Sequence, residues 1–212
     1  MRMRHALLTM VVACMATPVA VGACPKVVFF DLGDTLLQAG AGGLFVVKPG
    51  ARETVDALKA QGTRVAVITN VPAGFTRAQL DALMADPSFL DEFEVLLMSS
   101  EAPAAKPNPA IYTHAHGLLS DAPPITQTAF VGETIAEIAN TATSPSSGAR
   151  AVGMVGIHLS VAAPDPRADF TIAPDQLPQL VPLIQDQCRL HANGFESEAK
   201  ALSLHARAGR PA

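Results

Sequence analysis

The chain is poor in charge and in aromatic rings. Only 16% of its 212 residues are charged and 5% aromatic, with no Trp and a single Tyr, while 49% are apolar. That balance excludes a disordered chain, which lacks the apolar surface needed to offset the entropy of ordering. Lys and Arg number only 15 and nowhere cluster, and the net charge is −4. A protein that grips a polyanion through its phosphates needs clustered cations, so no nucleic-acid partner is expected. None of the three cysteines forms a Cys-x-x-Cys pair, which argues against a structural zinc site. No internal repeat is visible. The length suits one full-sized domain with its own core.

Long hydrophobic runs are also missing, with one exception near the start. Ala6 to Ala20 carries no charge, follows Arg2 and Arg4, and precedes the small residues Val21-Gly22-Ala23. The pattern predicts a signal peptide over 1–23 and a periplasmic or exported protein. The run is at the short end for a membrane span, and the first strand begins almost at once, near Lys26. Two alternatives stay open. Val21-Gly22-Ala23-Cys24 also resembles a lipoprotein cleavage box, in which a lipid on Cys24 would tether the protein to a membrane. Met15 could instead be the true start, giving a cytoplasmic protein. Cys24 and Cys188 could pair in an oxidising compartment, although sequence alone does not give their separation.

Past residue 24, apolar runs alternate with helical patterns. Lys26 to Asp31 (KVVFFD) and Arg64 to Thr69 (RVAVIT) read as strands buried on both faces. Further strands are expected at Glu94–Met98, Thr128–Val131 and Ala151–Val155, with a short edge strand at Asp169–Ile172. Gln38 to Gly50 reads as a Gly-rich loop. Ala51 to Gln61 reads as a helix stopped by Gly62. Thr76 and Gln79 form a capping box for a helix carrying Leu80, Leu83 and Met84, and Asn108 caps one that begins at Pro109. A closing helix is expected over Asp175–Gln187, with Pro178 and Pro182 near its start or bending it. The alternation predicts an α/β fold with a parallel, doubly wound sheet. We assign residues 24–187 to this domain and 188–212 to a C-terminal tail.

The chemistry follows from what ends each strand. Asp31, within Asp31-Leu32-Gly33-Asp34-Thr35, follows the first; Thr69-Asn70 the second; Lys106-Pro107-Asn108-Pro109 the third; Gly132-Glu133, with Glu137 one helical turn on, the fourth. Each alone is an ordinary turn, cap or solvated charge. Together they matter, because a parallel sheet gathers such positions at its carboxyl edge. A carboxylate nucleophile, a hydroxyl, a lysine and an acidic pair facing one crevice suit phosphoryl transfer. Asp can carry the phosphoryl group, carboxylates can hold Mg²⁺, and Thr69 and Lys106 can hold the other phosphate oxygens.

FFDLGDTL, VAVITN, AAKPNPAIY and FVGETIAE are similar, in order, to the four motifs of the haloacid dehalogenase superfamily of aspartate-nucleophile phosphatases. The resemblance covers residues 26 to about 187. It implies a Rossmann-like sheet and a Mg²⁺ requirement. It also implies Asp31 as nucleophile, the Gly33 carbonyl with Asp31, Glu133 and Glu137 on the metal, and Thr69, Asn70 and Lys106 on the substrate phosphate. Three departures stand out. The family usually has a second Asp two residues after the nucleophile as the proton donor; here that position is Gly33 and the acid has moved to Asp34. Glu133 stands where Asp is commoner. Thr141 to Ser147 reads as a loop insertion. The stretches between Asp31, Thr69 and Lys106 have no room for a large cap domain, so the expected substrate is a small phosphate ester, or an exposed phosphate on something larger, with a neighbouring subunit as one way to enclose it. The apolar flap residues Leu44 to Val47 either join the core or line the entrance. His114 and His116 read as surface residues, and His158, after the fifth strand, as a residue near the site. The competing readings are an exported binding module whose turnover is lost through Gly33, and a phosphotransferase.

Overall fold

The structure, a computed structural model, describes residues 24–142 and 144–192; the expected leader and most of the tail lie outside the described residues. Its centre is β1 (Val27–Phe30), four apolar residues buried throughout. The chain then makes a small antiparallel hairpin, β2 (Leu37–Ala39) and β3 (Phe45–Val47), before α1 (Ala51–Ala60). There follow β4 (Arg64–Thr69), α2 (Arg77–Ala82), β5 (Val95–Met98), α3 (Pro109–Gly117), β6 (Thr128–Gly132), α4 (Ile135–Ile138), β7 (Val155–Leu159), β8 (Phe170–Ile172) and a helix over 180–192, α5. The main sheet runs β5-β4-β1-β6-β7-β8, with every pair parallel. The chain builds outward from β1 to one edge and returns to build from β1 to the other. This is the doubly wound order, and its switch point lies beside β1.

Alternation along β1 sets the two cores. Val28 and Phe30 face α1, through Ala51, Val55 and Leu58, together with Leu180 and Ile184 of α5. Val27 and Phe29 face Ile111, Tyr112 and Ala115 of α3 and Ile138 of α4. Each such fully buried side chain contributes about 1.5–3 kcal/mol through apolar area removed from water. The capping box of Thr76 and Gln79 forms, and Asn108 caps α3 with Pro109 as its first residue. Gly62 stops α1 at φ +84°, in the left-handed region a Cβ disfavours.

Three expectations change. The fifth strand lies at Val155–Leu159; Ala149–Val152 is a single 3₁₀ turn, because Gly153 at φ +94° breaks the extended path before the run VGIHL. The Gly-rich segment is not all loop. Leu37 to Val47 pairs as a hairpin, with the Phe45 amide and carbonyl bonded to the Leu83 carbonyl and the Ala85 amide. Leu44 and Phe45 at its tip are each 37% exposed, so they are not core residues. The closing helix proper starts after a 3₁₀ turn, Pro174–Gln179, that takes up Pro178, and it continues past 187.

The boundary drawn at 187 therefore falls inside α5, and Cys188 of that helix is disulfide-bonded to Cys24 just ahead of β1. A sulfur in a disulfide cannot carry a lipid thioether, so the structure opposes lipidation of Cys24. The bridge closes a 164-residue separation and fixes α5 against the sheet. Cys188→Ser is expected to cost about 2–5 kcal/mol. Urea midpoints measured with and without reductant check this: reductant should lower the wild-type midpoint and leave the variant unchanged.

Candidate active site

β1 ends at Phe30, but Asp31 extends the ladder by one bond, from its amide to the Val131 carbonyl at 2.8 Å. This fixes the Asp31 backbone between the ends of β4 and β6, at the switch point. The chain then turns through Gly33 and Asp34, the latter at φ +50°, and the Thr35 amide donates to the Gly33 carbonyl at 2.6 Å.

From the β5 side, Lys106 reaches into this turn. Its Nζ donates to Asp31 Oδ1 and lies 2.8 Å from Glu137 Oε2, and its side chain is 1% exposed. The Phe130 ring lies 5.3 Å from the same ammonium. Asn70 aligns the lysine through the backbone: its Oδ1 accepts the Lys106 amide at 2.9 Å and its Nδ2 donates to the Lys106 carbonyl at 3.0 Å. The expected substrate role for Asn70 thus gives way to a positioning one, since both amide atoms are engaged. Tyr112 braces the other side, donating from its hydroxyl to the Glu137 carbonyl at 2.7 Å. Burial pushes that hydroxyl well above the usual phenol range, so it stays protonated.

Glu133 follows β6. Its Oε2 accepts from the Thr35 hydroxyl at 3.0 Å and its Oε1 from the Thr134 hydroxyl at 2.8 Å. Burial pushes its pKa up, but hydrogen bonds from Thr134, its own backbone, Asp31 and Thr35 outweigh this and hold it below the ordinary glutamate value. Asp31 behaves in the opposite way: burial drives its carboxyl up to about 7, against the pull of Lys106 and with a push from Glu137 and Glu133. Lys106 thus pairs with two carboxylates, Asp31 and Glu137, while a third, Glu133, adds to the negative charge around Asp31.

The structure brings together Asp31, Lys106, Glu133 and Glu137, with buried Thr69 at the end of β4, whose hydroxyl has no partner among the described residues. It does not bring in Asp34, which is exposed, makes no side-chain contact with these groups, and offers only its carbonyl to Lys48 Nζ at 2.7 Å. Glu137, expected on the metal side, is drawn to Lys106 instead. Sequence reasoning missed Thr35, and it placed His158 near the site without its partner. Thr35 is buried four residues after the nucleophile, which a hydroxyl in that motif could have signalled. His158 pairs with Gly132 across β6–β7, is 8% exposed, and places Nε2 2.9 Å from the Glu133 carbonyl.

Excess negative charge calls for a cation. Among the described residues no three His, Cys, Asp or Glu side chains form a complete cage. The donors at hand are the Asp31 and Glu133 carboxylates and the second lone pair of the Gly33 carbonyl. An all-oxygen set that leaves room for water and phosphate fits Mg²⁺ better than zinc.

A haloacid dehalogenase-like hydrolase family model matches residues 39–139, which include Thr69, Asn70, Lys106, Glu133 and Glu137 and begin after Asp31. A phosphoglycolate phosphatase of Nitrosococcus oceani is 33% identical over 90 residues, 42% of this chain and 37% of that protein. Over residues 39–139 the chain is similar to the haloacid dehalogenase-like hydrolases. It aligns with well under half the length of the phosphatases it matches. A haloacid dehalogenase-superfamily hydrolase from Ehrlichia chaffeensis superposes with a TM-score of 0.55 at 15% identity, over 79% of this chain and 98% of the other. CbbY from Rhodobacter sphaeroides, solved in complex with phosphate, gives 0.54 at 14%, over 72% and 96%. At such identities the superpositions speak for the haloacid dehalogenase-like fold alone.

Proposed function

We propose that this domain hydrolyses phosphate monoesters with Asp31 as the nucleophile. The observation that carries the reading is the buried Asp31 carboxylate held by Lys106 at the switch point of the sheet, with Glu133 across from it. Asp31 attacks phosphorus, the ester oxygen leaves, and water then cleaves the aspartyl-phosphate. Lys106 orients the attacking carboxylate, and the Thr69 hydroxyl is positioned for a phosphate oxygen. Mg²⁺ bound by Asp31, Glu133 and the Gly33 carbonyl would offset the charge of the phosphate. The disulfide supports action in an oxidising compartment, as a periplasmic or exported enzyme.

Hydrolysis of p-nitrophenyl phosphate should stop on chelation and return with Mg²⁺. Equal, near-zero rates for wild type and Asp31→Asn would instead leave a binding module.

His158 makes a second check on the metal side. The Glu133 carbonyl only accepts, so Nε2 donates to it and fixes the loop that carries the Glu133 carboxylate. His158→Leu is expected to raise the Mg²⁺ midpoint, read from Mg²⁺-dependent thermal stabilisation, about 10- to 100-fold. His158→Gln, whose amide can donate to the same carbonyl, should recover most of the loss. An unchanged midpoint in the Leu variant would reduce His158 to packing.

A further inference from the structure

A phosphoryl transfer has two ends, and only one of them is equipped in this crevice. When Asp31 attacks, an oxygen lone pair forms the new O–P bond, and the electron pair of the breaking P–O bond moves onto the leaving oxygen. That oxygen must either take a proton as it departs or leave as an anion.

Apart from the Thr69 hydroxyl, positioned for a phosphate oxygen, the acidic hydrogens near the site are already committed among the described residues. Glu133 has both carboxylate oxygens accepting from hydroxyls, those of Thr35 and Thr134. Glu137 is paired with Lys106 at 2.8 Å, and the Lys106 ammonium is buried between Glu137 and Asp31. The Thr35 proton points to Glu133, the Tyr112 proton to the Glu137 carbonyl, and the His158 Nε2 proton to the Glu133 carbonyl. Lys48 Nζ is bonded to the Asp34 carbonyl, and the Asp34 side chain sits on an exposed turn without contact to the cluster. Next to the nucleophile, at Gly33, there is only space: a Cβ there would meet nothing within 4 Å, and the backbone is outside the left-handed region.

Resting on the phosphatase reading, we propose that the site selects phosphate on leaving groups that are stable as anions: aryl phosphates, acyl phosphates and phosphoanhydrides, in preference to alkyl phosphate esters. A carboxylate leaving group has a conjugate acid near pKa 4 and a phenolate near 10 (about 3.9 and 10 for the side-chain analogues). Alkoxides resemble hydroxide, whose parent water sits near 15.7. The first step is then a dianionic ester plus the Asp31 carboxylate giving aspartyl-phosphate and a free anion, with no proton moved. In the second step water attacks phosphorus, the P–O bond to Asp31 breaks back to the carboxylate, and both water protons leave on dihydrogen phosphate. The second step is common to every substrate, so selectivity resides in the first.

The test is kcat/KM with Mg²⁺ across acetyl phosphate, a series of substituted phenyl phosphates and glycerol phosphate, for wild type, Gly33→Asp and Gly33→Asn. Wild type should show a steep fall with leaving-group pKa, with glycerol phosphate more than about 10²-fold below the aryl esters, since a positioned acid contributes about 10²- to 10⁴-fold. Gly33→Asp should raise the ratio of kcat/KM for the alkyl ester to that for acetyl phosphate at least tenfold. Gly33→Asn, of the same shape but without a proton to give, should not. A flat wild-type series, with alkyl and aryl esters within tenfold, would overturn the selectivity and leave the phosphatase reading intact. So would an equal gain from Asn. No Mg²⁺-dependent turnover of any of these substrates by wild type would overturn the phosphatase reading itself, and the selectivity with it.

Discussion

Asp31→Asn is expected to lose on the order of 10⁴- to 10⁶-fold in turnover of p-nitrophenyl phosphate, the range seen when an enzyme loses its nucleophile. Asn keeps the shape but cannot form the acyl phosphate, and it gives Lys106 only a neutral oxygen to hold. Glu137 still pairs with that ammonium at 2.8 Å, so the variant should fold and melt close to wild type. The pH profile carries the same information. Burial raises the Asp31 carboxyl to about 7 in the protein without metal, and attack needs the anion. At limiting Mg²⁺ the rate should therefore fall as pH drops through about 7. Saturating Mg²⁺, by favouring the charged form, should move that midpoint to lower pH. A rate that rises as pH falls would contradict Asp31 as the attacking group.

Lys106→Met is expected to harm both stability and rate. The lysine side chain is 1% exposed and neutralises the buried Asp31 and the half-buried Glu137, so its removal leaves these two carboxylates facing each other without a cation. Removing one partner of a buried pair costs about 3–5 kcal/mol. The loss should be full above pH 8 and smaller below 7, where Asp31 takes up a proton instead. Lys106 is also the main force holding the Asp31 pKa down against burial. Its removal should thus shift the midpoint of the pH–rate profile upward and lower kcat about 10²- to 10³-fold, the scale of losing one donor to developing charge. Urea unfolding at two pH values and a pH–rate profile check the two halves separately. A variant as stable as wild type at pH 8.5 would mean that the three-carboxylate crevice is solvated.

Much of this was legible in the sequence, because the deciding signals are local. KVVFFD and RVAVIT could only be strands buried on both faces, and Asn108-Pro109 could only open a helix. Once the strands were placed in parallel, Asp31, Thr69, Lys106 and Glu133 had to share an edge. What was missed depends on distances between elements. Glu133 and Glu137 look alike along the chain, yet one faces Thr35 and the other Lys106, because the first turn of α4 rotates them apart. The Asn70 amide could have bound phosphate or backbone, and only the position of the Lys106 segment decides. The fifth strand lies later than the apolar run from Ala151 suggests, because Gly153 forms the turn before it. The hairpin at Leu37–Val47 was hidden by its three-residue strands and the glycines between them.

In the proposed reaction phosphate passes through the Asp31 carboxylate. Borohydride reduction during steady-state turnover, followed by peptide mass spectrometry, tests it most directly. An acyl phosphate at Asp31 should be reduced to homoserine at that position, only when substrate and Mg²⁺ are present. Turnover that continues with Asp31 unmodified, or homoserine at another aspartate, would contradict it.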